Sequence, residues 1–135
     1  MLENKSVQEI ISIIHKKEIS IKEVVCFYLD RIKKFNPYLN AIVSIKDEEE
    51  IIKEAKHKDE NFDKNKPLLG LPLAPKDLLD VVGFPTTYGF PGYKNYFPKK
   101  NSLIVDRLSD AGAIFIGKTN TAELGVGGHT INRLF

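Results

Sequence analysis

Residues 69–77 read Leu-Gly-Leu-Pro-Leu-Ala-Pro-Lys-Asp, and the interpretation of the whole chain depends on this stretch. Seven of the nine residues are apolar, glycine or proline, and a charged pair ends the run. The run is too short and too rich in proline for a helix, so it predicts a buried strand. Lys76 at its tip either extends its ammonium into solvent or is held in a site. In a site, desolvation favours a neutral amine that can accept a proton.

Composition limits the class of protein. The 135 residues are 42% hydrophobic and 28% charged, which is typical of one globular domain rather than a disordered or membrane-spanning chain. A net charge of +2 is too weak to indicate nucleic acid binding. The single cysteine excludes an internal disulfide framework, and zinc-ligand spacing is absent. No apolar run suits a signal peptide or a membrane helix, so we expect a cytoplasmic protein.

The first half of the chain predicts a helical scaffold. Capping boxes at Ser6-x-x-Glu9 and Ser20-x-x-Glu23 open two helices, and the second is expected to stop at Asn36-Pro37. A short strand at 40–45 and a charged helix over 47–58 follow.

The second half predicts the start of an α/β core. Ser102 is expected to cap a helix over 103–110, and residues 113–116 form a buried strand. Residues 117–120 are expected to turn out of that strand into a short helix that Gly125 ends. The order strand, helix, strand favours a parallel arrangement.

One motif match conflicts with this assignment. Residues 112–119 satisfy the pattern G-x-x-x-x-G-K-[ST] of a phosphate-binding loop, with Lys118 as its lysine. That function requires the four middle residues to form a loop whose N–H groups surround phosphate. Here they are Ala-Ile-Phe-Ile, a predicted strand whose N–H groups belong to a sheet. Nucleotide binding at this motif is therefore disfavoured.

Three motifs in order carry a resemblance to a known family. They are residues 70–77, the sequence Thr-Thr-Tyr-Gly at 86–89, and Ala-Gly-Ala-x-x-x-Gly-Lys-Thr-Asn-x-x-Glu at 111–123. Their order and spacing resemble the amidase signature family, most nearly the subgroup that contains the A subunit of glutamyl-/aspartyl-tRNA amidotransferase and free-standing amidases. The resemblance implies an α/β fold, with N-terminal helices followed by part of a mixed sheet covered by helices on both faces. It also implies that residues 1–135 are the N-terminal part of one domain, with a helical region over 1–66 and the start of the α/β core over 67–135.

The same resemblance implies the chemistry. Members of the family hydrolyse or transfer amides with a Ser–cisSer–Lys triad, in which a neutral lysine accepts a proton from the bridging serine. Lys76 takes the position of that lysine. Gly125, Val126, Gly127 and Gly128 take the position of a substrate-binding loop, although a plain turn is the alternative. The implied substrate is a small carboxamide, with no metal and no cofactor.

The chain departs from the family pattern in one decisive respect. The family's serines lie in a Gly-Gly-Ser-Ser-Gly-Gly type of stretch, which is absent here, and Ser102 and Ser109 on a predicted helix cannot replace them. We therefore expect the N-terminal portion of an amidase, or of an amidotransferase component that supplies ammonia, inactive by itself. The alternative is a non-catalytic binding or assembly piece. Expected partners are amidotransferase subunits or a second copy, without direct nucleic acid contact.

Overall fold

Helices and short strands are mixed along residues 2–135, the part of the chain that this computed structural model describes. The helices are α1 (Val7–His15), α2 (Ile21–Leu39), α3 (Glu48–Glu60) and α4 (Leu103–Asp110). The strands are β1 (Ile42–Ile45), β2 (Pro72–Leu73), β3 (Ile114–Phe115) and β4 (Gly117–Thr119). Two 3₁₀ turns, Pro91–Tyr93 and Glu123–Gly125, complete the described elements.

Both predicted capping boxes form. The Ser6 hydroxyl accepts from the Glu9 N–H at 3.3 Å, and the Glu9 carboxylate accepts from the Ser6 N–H at 2.7 Å. Ser20 and Glu23 make the same reciprocal pair at 3.1 and 2.9 Å. The hydrogen bonds that the serines donate hold the pKa of each glutamate below its ordinary value. The predicted starts of α1 and α2 are confirmed.

The predicted end of α2 is wrong. The helix continues through Pro37 to Leu39 and ends where Asn40 adopts a left-handed φ of 47°. The Asn36 side chain accepts from the Ile42 N–H at 2.8 Å and donates to the Ile42 carbonyl at 2.9 Å. These two bonds, together with the left-handed Asn40, fix the turn into β1 beyond the proline. The missing proline N–H removes one helical bond near the end without ending the helix.

The strands form two small pairs of opposite sense. β2 pairs with β3 in parallel, with Pro72 opposite Ile114, whereas β1 pairs with β4 antiparallel. The predicted turn at 117–120 is therefore wrong, because residues 117–119 form β4. Gly117 permits this pairing, since a Cβ there would lie 2.7 Å from the Ser44 carbonyl oxygen.

The 3₁₀ turn Glu123–Gly125 replaces the short helix that was predicted from residue 120. The result is a mixed α/β arrangement.

One apolar core joins α1, α2 and α3 to the strands, whereas Val105 of α4 belongs to a second, smaller cluster with Val81 and Phe84. Ile14 of α1, Ile21 at the start of α2, Ile51 of α3 and Ile114 of β3 are all fully buried in the same cluster. The helical region therefore packs directly on the β2–β3 pair, and β2 is the strand that precedes Lys76 in the chain. Within residues 2–135, no helix combines the length and the apolar character that crossing a bilayer requires.

Candidate active site

Backbone pairing with β4 fixes the position of Lys76. The Thr119 N–H donates to the Pro75 carbonyl, and the Asp77 N–H donates to the Thr119 carbonyl, both at 2.9 Å. Lys76 is thus enclosed between two hydrogen bonds to one residue, as a parallel bridge to Thr119. Its side chain is exposed.

An open cleft of about 600 Å³ lies beside Lys76. Its walls come from the end of α2 and the residues that follow it, from the end of β4, and from the C-terminal residues. The lining residues, besides Lys76, are Leu39, Asn40, Ala41, Thr119, Asn120, Thr130, Ile131, Asn132 and Phe135. The cleft therefore combines amide and hydroxyl groups with apolar side chains, the mixture that small-molecule sites use to orient a ligand.

Asn132 holds the C-terminal wall of the cleft in place. Its amide nitrogen donates to the Asn120 side-chain oxygen at 2.7 Å and to the Thr121 carbonyl at 2.8 Å. Its oxygen accepts from the N–H groups of Leu134 and Phe135 at 2.9 and 2.8 Å. All the polar atoms of one side chain are used to fix this segment against the end of β4.

A buried ion pair lies next to Lys76 in sequence. The Asp77 carboxylate and the Lys118 ammonium are 2.7 Å apart, and both side chains are fully shielded from solvent. Lys118 also donates to the Pro85 carbonyl at 2.9 Å and to the Thr86 hydroxyl at 2.8 Å. Burial lowers the pKa of Lys118, and the hydrogen bond and charge of Asp77 oppose that shift.

The loop after Lys76 closes over this pair. The Thr87 N–H and the Thr87 hydroxyl both donate to the Asp77 carboxylate. The Tyr88 N–H donates to the Asp77 carbonyl at 3.1 Å, and Tyr88 adopts a left-handed φ of 54°. Burial is the main cause that raises the pKa of the Tyr88 hydroxyl. The two threonines of the Thr-Thr-Tyr-Gly motif at 86–89 therefore hydrogen-bond to the buried ion pair.

The phosphate-loop pattern has no phosphate-binding geometry. Ile114 and Phe115 form β3, and Lys118 directs its three ammonium hydrogens to Asp77, Pro85 and Thr86. Gly112 follows the end of α4 with a φ of 104°. Because the strand and the ion pair use these groups, nucleotide binding at this motif is disfavoured, as expected.

The loop of Gly125, Val126, Gly127 and Gly128 is exposed and lies outside the lining of the Lys76 cleft. Its first residue, Gly125, ends the 3₁₀ turn Glu123–Gly125. That turn is tied to the loop after Lys76, because the Leu124 N–H donates to the Tyr88 carbonyl at 2.7 Å. Thr130 and Ile131, a few residues further along, do line the cleft. The substrate-binding role of the glycine loop stays a prediction.

Neither serine of α4 lines the cleft. Ser102 precedes the helix, but its hydroxyl accepts from the Asp80 N–H at 2.9 Å instead of capping the helix, so that part of the expectation is wrong. Ser109 lies near the end of α4. In residues 2–135, no three His, Cys, Asp or Glu side chains are grouped closely enough to hold a metal ion.

Sequence reasoning missed the Asp77–Lys118 pair. The sequence nevertheless contained a signal for this pair. The charged residues Asp77 and Lys118 are each the direct neighbour of a residue that lines the cleft, Lys76 and Thr119 respectively. Alternation along a strand sends neighbouring side chains to opposite faces, so one of each pair had to point inward.

Comparison with known proteins agrees with this architecture. The profile of the family described as Amidase matches residues 23–135. The chain is 36% identical to the A subunit of the glutamyl-tRNA(Gln) amidotransferase of Caldanaerobacter subterraneus subsp. tengcongensis, over 96% of this chain and 27% of that protein. It is also 36% identical to an acylamidase of Rhodococcus erythropolis, over 96% of this chain and 28% of the relative.

A solved structure shows the same partial coverage. The native peptide amidase of Stenotrophomonas maltophilia superposes with a TM-score of 0.82 at 27% identity, over 90% of this chain and 26% of that one. The chain spans about a quarter of the length of these relatives. The chain therefore belongs to the amidase signature family and corresponds to an N-terminal portion of its members.

Proposed function

We propose that this chain supplies the lysine base of an amidase active site whose serines lie on polypeptide outside the 135 residues. The observation that carries the proposal is the position of Lys76, exposed in a cleft and fixed by backbone bonds on both sides. Family membership supplies the chemistry, a serine nucleophile activated through a second serine by a neutral lysine.

The reaction needs three proton movements. Lys76 accepts a proton from the bridging serine, which takes one from the nucleophilic serine as its oxygen attacks the carboxamide carbon. The proton then returns to the leaving nitrogen, which departs as ammonia or an amine. Water cleaves the resulting ester and regenerates the serine. The substrate is a small carboxamide, and the ammonia is either released or passed on to a tRNA-linked reaction.

The proposal predicts that the 135-residue chain has no amidase activity alone, because the chain contains no serine pair of the required kind. The first measurement is hydrolysis of an aryl amide by the purified chain and by Lys76→Ala. No turnover above buffer is expected for either protein. Turnover that disappears in Lys76→Ala would contradict the expected inactivity.

Complementation tests the role of Lys76 directly. The chain is co-expressed with the part of the Rhodococcus erythropolis acylamidase that it does not span, and amide hydrolysis is expected only when both parts are present. Lys76→Met should lower the rate at least about a thousandfold, as loss of a triad member does. Lys99→Met replaces an exposed lysine outside the cleft and should leave the rate unchanged. Equal rates in the two variants would contradict the assignment.

A second candidate function is supported by an apolar groove of about 480 Å³ between α2 and residues of β1 and β2. Its apolar lining includes Tyr28, Ile32, Phe35, Leu39, Ala41, Ile42, Pro72, Ala74 and Ile116. Such a surface is typical of a protein interface. As a non-catalytic assembly piece, the chain would use this groove to bind an apolar segment of an amidotransferase partner or a second copy.

Solution behaviour separates the two candidates. An assembly piece is expected to be monodisperse and to unfold cooperatively, whereas aggregation or molten behaviour favours the portion of an enzyme. Phe35→Lys places a charge in the groove and leaves the Lys76 cleft untouched, and Phe97→Lys is its control, because both phenylalanines are exposed and only Phe35 lines the groove. Sedimentation velocity would show loss of association in the first variant alone if the groove is the interface.

A further inference from the structure

The residues around Lys76 alternate between two faces. Lys76 and Thr119 line the cleft, whereas Asp77 and Lys118 are fully buried behind them. The four residues belong to one pairing, in which Thr119 exchanges both of its backbone hydrogen bonds with the residues on either side of Lys76. Because side chains alternate with a period of two, slipping this pairing by one residue would exchange the two faces.

Such a slip would be chemically possible without the ion pair. On the first segment, Lys76 and Asp77 are both charged. On the second, Lys118 is next to the polar Thr119. Polarity alone therefore specifies the register only weakly. The paired segments are also short, since β4 has three residues and Lys76 makes only an isolated bridge. The β1–β4 pairing fixes which side chains of β4 face inward, but it does not fix which residue of the first segment lies opposite Thr119. A specific inward contact is therefore needed to decide that Lys76 faces the cleft.

The buried pair provides that contact. Lys118 has three acceptors for its three hydrogens, and Asp77 accepts from Lys118 and from two groups of Thr87. A lysine at position 118 directed outward would leave the Asp77 carboxylate buried without its cation, which is strongly unfavourable. The arrangement is thus satisfied in a single register.

We propose that Asp77 and Lys118 form a positioning pair, which fixes the register that presents Lys76 to the cleft. The inference rests on the proposed role of Lys76 as the base. The pair touches no reacting atom in this scheme; it acts through the backbone bonds of Thr119. Lys118, which matched the lysine of a phosphate-binding loop in the sequence, thereby holds Lys76 in place.

Amide hydrogen exchange tests the register without any activity. It is read by NMR on the isotope-labelled 135-residue chain in the complex used for complementation, because the chain alone is expected to aggregate or to be molten if it is a portion of an enzyme. The reporters are the N–H groups of Asp77 and Thr119, with Val24 and Val25 of α2 as internal references. In Lys118→Met, exchange at the two reporters should accelerate about tenfold or more relative to the references. A pair that contributed only to the stability of the whole fold would accelerate all four amides by the same factor, and the ratio of reporter to reference rates would not change.

A second readout and two further variants complete the test. Nuclear Overhauser contacts between Lys76 and Thr119 should weaken in Lys118→Met. Lys33→Met removes an exposed ion pair with Glu48 and should change neither readout. Thr87→Val removes one hydrogen-bond donor to Asp77, so it should also accelerate exchange at Asp77 and Thr119, but by a smaller factor. This variant replaces Lys118→Met in the test if Lys118→Met does not fold.

The outcomes separate the two proposals. Exchange at Asp77 and Thr119 that follows the α2 references, or Lys76 contacts that persist in both variants, would overturn the positioning role. Neither readout involves amide turnover. If Lys76→Met had no effect in the complementation assay, the catalytic assignment would fail while the register result stood.

Discussion

Replacing Lys118 with methionine should destabilise the fold by about 3–5 kcal/mol, the range found when one partner of a buried ion pair is removed. Methionine fills a similar volume, so little of the loss comes from packing. The loss arises because the Asp77 carboxylate remains fully buried with only the Thr87 donors, while the Pro85 carbonyl and the Thr86 hydroxyl lose a donor.

This loss is large compared with the free energy of unfolding of the whole domain. Domains of this size unfold at a cost of about 5–15 kcal/mol, so Lys118→Met removes a substantial share. Asp77→Leu/Lys118→Met replaces both charges with apolar groups and should recover most of the loss, since apolar replacements of buried pairs are often neutral or stabilising. Urea denaturation followed by circular dichroism measures all three proteins.

Lys33→Met is the control for removing a lysine from an ion pair at the protein surface. Its partner is Glu48, and both side chains are substantially exposed, so its urea midpoint should match that of the parent. A Lys118→Met protein that unfolds at the same midpoint as Lys33→Met would refute the energetic role of the buried pair. A double variant that is less stable than Lys118→Met would refute it as well.

Three further predictions concern the scaffold. Ile114→Ala should destabilise the chain by about 2–5 kcal/mol, because Ile114 is fully buried where the helices meet β3; a loss below about 1 kcal/mol in urea denaturation, as at an exposed site, would contradict its place in the core. Gly112→Ala should lower the melting temperature, because a Cβ at φ 104° would lie 2.9 Å from the Leu69 Cα; an unchanged value would refute that close approach. Glu23 has a pKa below 4.5 in the fold, so its contribution is present above pH 4.5 and is lost as pH falls through the lowered pKa; Glu23→Gln should therefore flatten the dependence of melting temperature on pH below about 5, and an unchanged slope would contradict the sign.

Local signals predicted the elements where local forces decide them. Both capping boxes form, because serine and glutamate three residues apart act within one helical turn. The limits of α4 at Leu103–Asp110 also match the prediction, although the Ser102 side chain makes no cap hydrogen bond. The apolar run that begins at residue 69 predicted a strand with Lys76 at its tip. In the structure β2 is only Pro72–Leu73 and is half-buried, and Lys76 follows it as an isolated bridge to Thr119 beside the cleft.

Distant contacts explain the failures. Residues 117–119 resembled a turn because of their glycine and polar residues, but β1 supplies a partner more than 70 residues earlier in the chain. Asn36 likewise redirects the chain through Ile42, which no helix-stop rule takes into account. The inward position of Lys118 depends on Asp77, 41 positions away, and thus on the tertiary fold.

The separation of the cleft walls along the chain has a kinetic consequence. The Asn120 side chain donates to the Asn40 carbonyl across 80 residues, and Asn132 then holds the C-terminal wall against Asn120. Closing so long a loop carries an entropic cost that the helices do not face, so α2 can form before β1 meets β4. The surroundings of Lys76 are therefore expected to be among the last parts of this molecule to assemble during folding.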